Sequence, residues 1–304
     1  MSNLFRKREY TIDFLGQAKL AYIFSFILLI ISIFSLSTKG LNYGIDFVGG
    51  VQIEASSDTP IPMEIVREKL SFLKDLSLQS IGTDAQGILI QAQPEGENPN
   101  ALLTKIKDAL GAGYSYNEVE IVGPAVGEEL KYKSLWASIL ALLAIAVYIW
   151  FRFEWPFAVG CLLALAHDMI IVVGFFSLFQ IEFDMVVVAG LLSLAGYDCN
   201  DTIVSYDRMR ENLKKYRKAS VRELLNRSTN ETLSRTILTS LTTLFVVLVL
   251  LFVGGDALKG FSIAMALGTI LGTYSSIYLA MPLLQYFDIR SVGNVEDAMP
   301  DFNK

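Results

Sequence analysis

Apolar residues in this chain are gathered into long blocks rather than spread evenly. Six segments, 18–36, 134–151, 157–179, 185–206, 234–253 and 261–285, carry enough apolar positions to cross a bilayer core as helices. The fourth and fifth are interrupted by polar residues, which a helix facing a protein interior can carry. Between the first and second blocks the pattern changes to short alternating periods. Ile45 to Ala55 predicts a strand, with Val51, Ile53 and Ala55 on one face. Pro62 to Lys74 predicts an amphipathic helix through Ile65, Val66, Leu70 and Leu73. Leu76 to Ile81 and Gly87 to Ala92 predict two strands joined by a turn at 82–86. Asn98 to Leu110 predicts a second helix, capped by Asn98 or Asn100 and stopped by Gly111. Tyr114 to Val122 returns as a strand. The order βαββαβ predicts an α+β ferredoxin-like domain inserted into a six-helix, α-helical polytopic membrane protein.

Composition agrees. Of 304 residues, 53% are hydrophobic and 18% charged, which excludes an ordinary soluble domain. Cys161 and Cys199 fall in apolar blocks and form no disulfide framework. With one histidine, no His/Cys zinc cluster is available, and no cofactor is expected. Gly49-Gly50 lacks the Lys-Ser/Thr of a phosphate loop and reads as a bulge or a close-packing site.

Charge orients the blocks. The first follows Arg6, Lys7 and Arg8, and no small-residue cleavage site follows it, so it reads as a retained span. Segment 207–233 holds eight basic and four acidic residues, whereas 37–133 holds eight basic and fourteen acidic. Basic loops alternating with non-basic ones predict both termini in the cytoplasm. The expected domains are a cytoplasmic tail 1–17, a first span 18–36 and a periplasmic domain with connectors 37–133. A five-helix bundle 134–285, with a basic cytoplasmic loop 207–233, and a cytoplasmic tail 286–304 follow. The basic loop is read as a topology signal and not as a nucleic-acid site.

Four ionisable residues sit inside the blocks: His167 and Asp168, then Asp198 and Asp201. A charge at mid-bilayer costs roughly 2.5–3.5 kcal/mol on insertion scales. Groups that gain and lose protons there suit a proton pathway, while a static buried ion pair is the bland alternative. For His167, a titrating relay and a neutral hydrogen-bonded ring stand level. Asp168 is expected as a polar contact to the fourth span. Thr236, Thr239, Ser240 and Thr243 form a hydroxyl stripe, and Ala264, Gly268, Gly272 and Ser276 a small-residue stripe. The first can line a hydrated path but more often packs helices, and the second fits a close helix contact.

Several motifs occur in order: Leu41-Asn42-Tyr43-Gly44-Ile45-Asp46-Phe47-Val48-Gly49-Gly50, Gly123-Pro124-Ala125-Val126-Gly127-Glu128-Glu129-Leu130, Ala166-His167-Asp168, Gly196-Tyr197-Asp198-Cys199-Asn200-Asp201-Thr202, Asp207-Arg208-Met209-Arg210-Glu211-Asn212, Asn226-Arg227-Ser228 and Ser234-Arg235-Thr236. Together they resemble the SecF branch of the bacterial SecD/SecF protein-export family, within the resistance-nodulation-division superfamily, over nearly the whole chain. The resemblance implies an inner-membrane subunit, not an enzyme. Such a subunit works with SecD, the SecYEG channel, the SecA motor and often YajC, and uses the proton-motive force to help draw preproteins across. It implies functional roles for Asp201 and Arg235, with Asn200 and Thr202 in the same Asn-Asp-Thr motif. An arginine beside Asp201 favours the ionised carboxylate and burial the neutral one, so a small motion could couple proton binding to movement. Asp198 departs from the family, which usually carries a small polar residue there. Asp198 and Asp201 share a helix face, and two such carboxylates do not both ionise easily. The alternative is a half-transporter of the same superfamily exporting a small molecule or lipid, disfavoured by the single small extramembrane domain.

Overall fold

The computed structural model describes residues 12–73, 76–81, 85–93, 98–111 and 113–290. The basic residues Arg6, Lys7 and Arg8, the turn at 82–84 and the tail beyond Arg290 lie outside these. In chain order the elements are α1 Phe14–Thr38, β1 Asn42–Tyr43, α2 Ile45–Val48, β2 Gly50–Ser56, α3 Met63–Lys69, β3 Leu76–Ile81, β4 Gly87–Ala92 and α4 Pro99–Leu110. There follow β5 Ser115–Val122, α5 Pro124–Arg152, α6 Trp155–Phe179, β6 Glu182–Phe183, α7 Met185–Lys215, α8 Val221–Val253 and α9 Lys259–Ser275. A π turn at Ser276–Ala280 carries α9 on into Met281–Leu283.

The elements form two compact units, one of residues 42–138 and 182–188, the other of the rest. In the helical unit, local chemistry sets the helix ends. Asp13 caps α1 by accepting from Gly16 N at 3.0 Å. Ser220 caps α8 by accepting from Glu223 N at 3.2 Å, and Gly255, at φ 77°, lets the chain leave it. Five helical stretches among the described residues are long and apolar enough to cross a membrane: α1, α5, α6, α8 and 256–286. In α6 and in the α9 stretch 56% of the apolar window is buried, against 22%, 11% and 17% for α1, α5 and α8. So α6 and α9 are inner helices, and the other three present apolar faces outward. Helix α1 lies against α6, α6 against α9, and α8 against α9.

The structure refines two expectations here. The fourth expected span, 185–206, lies in the 31-residue α7, which is long enough to cross but too polar to count among the apolar helices. The expected loop 207–233 is helical at both ends, as the last turns of α7 and the first of α8, with only the turn 216–220 between them. Its polar residues pair across the two helices: Asn212 donates to Ser228 at 2.9 Å and to Glu231 at 2.8 Å. Paired helices satisfy backbone groups that a loop would leave to solvent.

In the other unit, an antiparallel sheet of order β3-β4-β2-β5 carries α3 and α4 on one face. Val51, Ile53 and Ala55 point inward with Ile88 and Ile90, against Val66 and Leu70 of the α3 segment and Leu102 and Ile106 of α4. The strand expected from Ile45 instead begins at Gly50. Ile45–Val48 forms a helical turn, because Gly49 and Gly50 take φ of 76° and 155° and reverse the chain. A Cβ on Gly49 would lie 2.7 Å from Pro124 Cα, so the glycine pair packs backbone on backbone. The expected helix 62–74 is shorter, ending at Lys69, and Ile65 is exposed. A two-residue parallel pairing of β1 with β6 joins the start of this unit to the segment entering α7.

Candidate functional site

In the helical unit, four helices bring polar side chains together. On α6, His167 Nδ1 lies 2.7 Å from Asp168 Oδ1. Asp168 is fully buried, and its second oxygen accepts the Ser275 hydroxyl of α9 at 2.5 Å. His167 Nε2 has no partner among the described residues.

Asp198 and Asp201 lie one turn apart on α7, and both are buried. Asp198 lies near enough to Asp168 for the two carboxylates to interact. Its Oδ1 has no hydrogen-bond partner among the described residues. Two facing carboxylates repel unless a proton lies between them. Asp201 accepts from Thr239 at 3.3 Å and from Ser240 at 3.2 Å, both on α8. Ser240 in turn accepts from Thr273 of α9 at 2.6 Å.

Small residues bring the helices this close. A Cβ on Gly268 would lie 2.0 Å from Leu194, and one on Gly272 would lie 2.4 Å from Asp198 Oδ1. Gly190 meets Ala264 in the same way. The contacts advance by four residues on each helix, so α7 and α9 run parallel with their i, i+4 rows in register. The small-residue stripe is therefore the seat of Asp198.

Arg235 makes no direct ion pair with Asp201. It lies one turn before Thr239 on α8, near enough to act on Asp201 through space. It is exposed, and it lines a cavity of about 1000 Å³ with Arg152, Asp207 and Arg208 among others. Thr202 is buried beside Asp201, whereas Asn200 points outward. Ser275 and Thr273 escaped the sequence reading. Their signal was a hydroxyl lying three residues, or one, beyond Gly272 on a helix already marked by small residues.

A second polar cluster lies in the other unit, on the 41–50 motif. Asp46 accepts from Met185 N at 3.0 Å and so caps the first turn of α7. Gln91 donates to both Glu182 oxygens at 2.8 Å, and Gln52 Oε1 accepts from Gln91 at 2.7 Å. Desolvation pushes Glu182 above its ordinary carboxylate range against the Gln91 hydrogen bond, with Asp184 and Asp46 adding to the upward push. Asp184 is raised as well, mainly by desolvation.

The family described as "Protein export membrane protein SecD/SecF, C-terminal" matches residues 103–290, and the "SecD/SecF GG Motif" family matches 34–61. The chain is 44% identical over 294 residues to the protein translocase subunit SecF of Pseudomonas aeruginosa, covering 95% of this chain and 94% of that one. It is 43% identical over 284 residues to the SecF of Vibrio alginolyticus, covering 91% and 90%. Among solved structures, SecDF of Thermus thermophilus, a translocon-associated membrane protein, superposes with a TM-score of 0.80 at 36% identity. That match covers 90% of this chain but 38% of the SecDF chain, so the chain spans well under half of that protein.

Proposed function

The chain belongs to the SecD/SecF protein-export family as a SecF-like protein translocase subunit, and from that premise we propose that it couples the proton-motive force to preprotein movement through the buried groups around Asp201. It is a multi-pass membrane protein. In this reading α7 crosses as the fourth of six spans, and both termini lie in the cytoplasm of a bacterial inner membrane. The β2–β5 unit is then a periplasmic ferredoxin-like domain, a reading supported by its strand order. The domains follow the sequence boundaries, with the five-helix bundle now including the helical ends of 207–233. The working assembly pairs the chain with SecD and acts beside SecYEG and SecA, with YajC as an accessory. The chain itself carries no enzymatic step.

One observation supports this most: Asp201 is buried, yet only neutral hydroxyls hold it. A carboxylate locked to arginine stays ionised. Hydroxyls donate to a carboxylate and equally accept from a carboxylic acid, so Asp201 is satisfied in either protonation state. Arg235, close but with no ion pair among the described residues, supplies the second state: a small shift of α8 toward α7 makes the ion pair and favours proton release. Asp168 and Asp198, face to face, hold a shared proton further along, with His167 and Ser275 orienting Asp168. Thr202 and Asn200 flank Asp201, Thr202 as packing and Asn200 toward the partner.

The test is Asp201→Asn, which keeps shape and hydrogen bonding but cannot titrate. It should abolish the gradient-dependent stage of export while the protein remains inserted and complexed. Arg235→Met should do the same, and ATP-driven initiation should survive both. Normal gradient-dependent export by Asp201→Asn would leave a static polar contact as the better account.

A further inference from the structure

The cavity beside Arg235 is unused by the proton-coupling reading. It lies between the end of α5, the last turns of α7 and the first turns of α8. Five cations line it, Arg152, Arg208, Arg210, Lys214 and Arg235, against three carboxylates, Asp207, Glu211 and Glu231, a surplus of two positive charges. The carboxylates are already engaged. Arg152 donates to both oxygens of Asp207 at 2.9 Å, and Arg208 pairs with Glu231 at 2.6 Å and with Glu211. Glu154, outside the lining, takes Arg210 at 3.0 Å, while Arg227, also outside it, pairs with Glu231 at 3.1 Å, so the surplus among these residues stays at two. Arg235 makes no ion pair among the described residues.

The surroundings are those of a membrane boundary. Trp150 and Trp155 flank the turn after Arg152, and exposed tryptophans mark the interface between hydrocarbon and water. Leu140, Leu143, Val147, Tyr148 and Phe151 form an exposed stripe along α5 that ends at Arg152, with Phe151 86% exposed. An apolar lane therefore runs into a pocket with a surplus of positive charge. A small free anion would satisfy the pocket and leave the lane uncovered. An anion attached to acyl chains satisfies both, and basic pockets between helices at the cytoplasmic side hold anionic headgroups.

We propose that this cavity is a binding site for the phosphodiester headgroup of an anionic phospholipid, with an acyl chain laid along α5. The proposal requires membrane embedding but not proton coupling, and its readout is lipid retention rather than export. The full chain, purified in mild detergent, would be incubated with phosphatidylglycerol or phosphatidylcholine and examined by native mass spectrometry. Phosphatidylglycerol should be retained and phosphatidylcholine lost. Arg152→Gln/Lys214→Gln should weaken retention by about fivefold per cation removed. Asp207→Asn breaks the same Arg152 ion pair but raises the surplus charge, so it should hold phosphatidylglycerol at least as well as the parent. If Asp207→Asn instead loses lipid as the double variant does, the ion pair and not an anion site governs retention, and the proposal fails. Equal retention of both lipids, or displacement of phosphatidylglycerol by millimolar inorganic phosphate, would also overturn it. A thermal melt of each variant separates lost lipid from lost fold.

Discussion

At the scale of single residues, each buried carboxylate is defined by what donates to it. Asp201 is held by hydroxyls, Asp168 by a serine and a histidine, and Asp198 has one oxygen with no donor. The hydroxyl chain Thr273–Ser240–Asp201 carries a consequence. Thr273→Val keeps the shape but leaves Ser240 without its donor, which costs about 1 kcal/mol for the lost hydrogen bond. Gradient-dependent export should slow while assembly with a partner persists, and a rate unchanged from the parent would remove Thr273 from the pathway. Glu182, in the unit built on the sheet, gives a pH prediction. Its raised value means that the folded state binds a proton more tightly than the unfolded one. Stability from this group is therefore fully present below its ordinary value of 4.5 and is lost as pH rises through the raised value. Gly44 N donates to Phe183 O at 3.0 Å within the same pairing. Its amide exchange, corrected for intrinsic rate, should be more protected at pH 5 than at pH 7.5. Glu182→Gln should flatten that difference. A slope unchanged in the variant would assign it to Asp184, which is shifted the same way.

At the scale of elements, close helix contacts depend on glycines that meet backbone or buried atoms. In α6, a Cβ on Gly174 would lie 2.2 Å from Ser32 Cβ and 2.7 Å from Ser32 Cα of α1. Alanine gains about 1 kcal/mol in helix propensity. Overpacking against a backbone that cannot rotate away costs about 1–3 kcal/mol. Gly174→Ala should therefore lower the melting temperature of the purified protein, and a rise would mean that α1 and α6 part more easily than their packing implies. Helix α7 is fixed at its start by Asp46, which lies in the 41–50 motif far away in sequence. Asp46→Ala removes that cap and should cost about 1 kcal/mol, read as faster exchange of the Met185 amide. The same motif thus serves both the glycine turn that opens β2 and the first turn of the helix bearing Asp198 and Asp201.

At the scale of the whole molecule, the outward faces set what the chain needs. Helices α1, α5 and α8 expose long rows of apolar side chains, as in Phe24, Phe34, Leu143, Phe245 and Phe252. Lipid can cover these rows. Its hydrocarbon cannot satisfy an exposed polar side chain such as Asn200 of α7. Purification in mild detergent should therefore recover a second multi-span protein of SecD type in a stable complex with this chain. Recovery of monomer or homodimer alone, from cells that make such a partner, would count strongly against that arrangement.

The sequence alone determined which segments are apolar, which residues carry charge within them, and the order of strands and helices in the unit built on the sheet. Those follow from local period and composition: β3 and β4 run over the residues their alternation predicts, and Asn98 and Gly111 bound α4 as their chemistry requires. The tertiary structure decided what the buried charges touch. Spacing placed Asp198 and Asp201 on one face but could not say that the face meets Gly272, Ser240 and Asp168. That depends on which helices pack together and in which register, set by side-chain volumes far apart in the chain. It also decided that Arg235 stands apart from Asp201, since a separation of a few ångströms between two helices has no signature in either one. The helical course of 207–233 and the short turn of α2 were missed for the same reason. Partners distant in sequence, Asn212 with Ser228 and Gly49 with Pro124, outweigh the local preference.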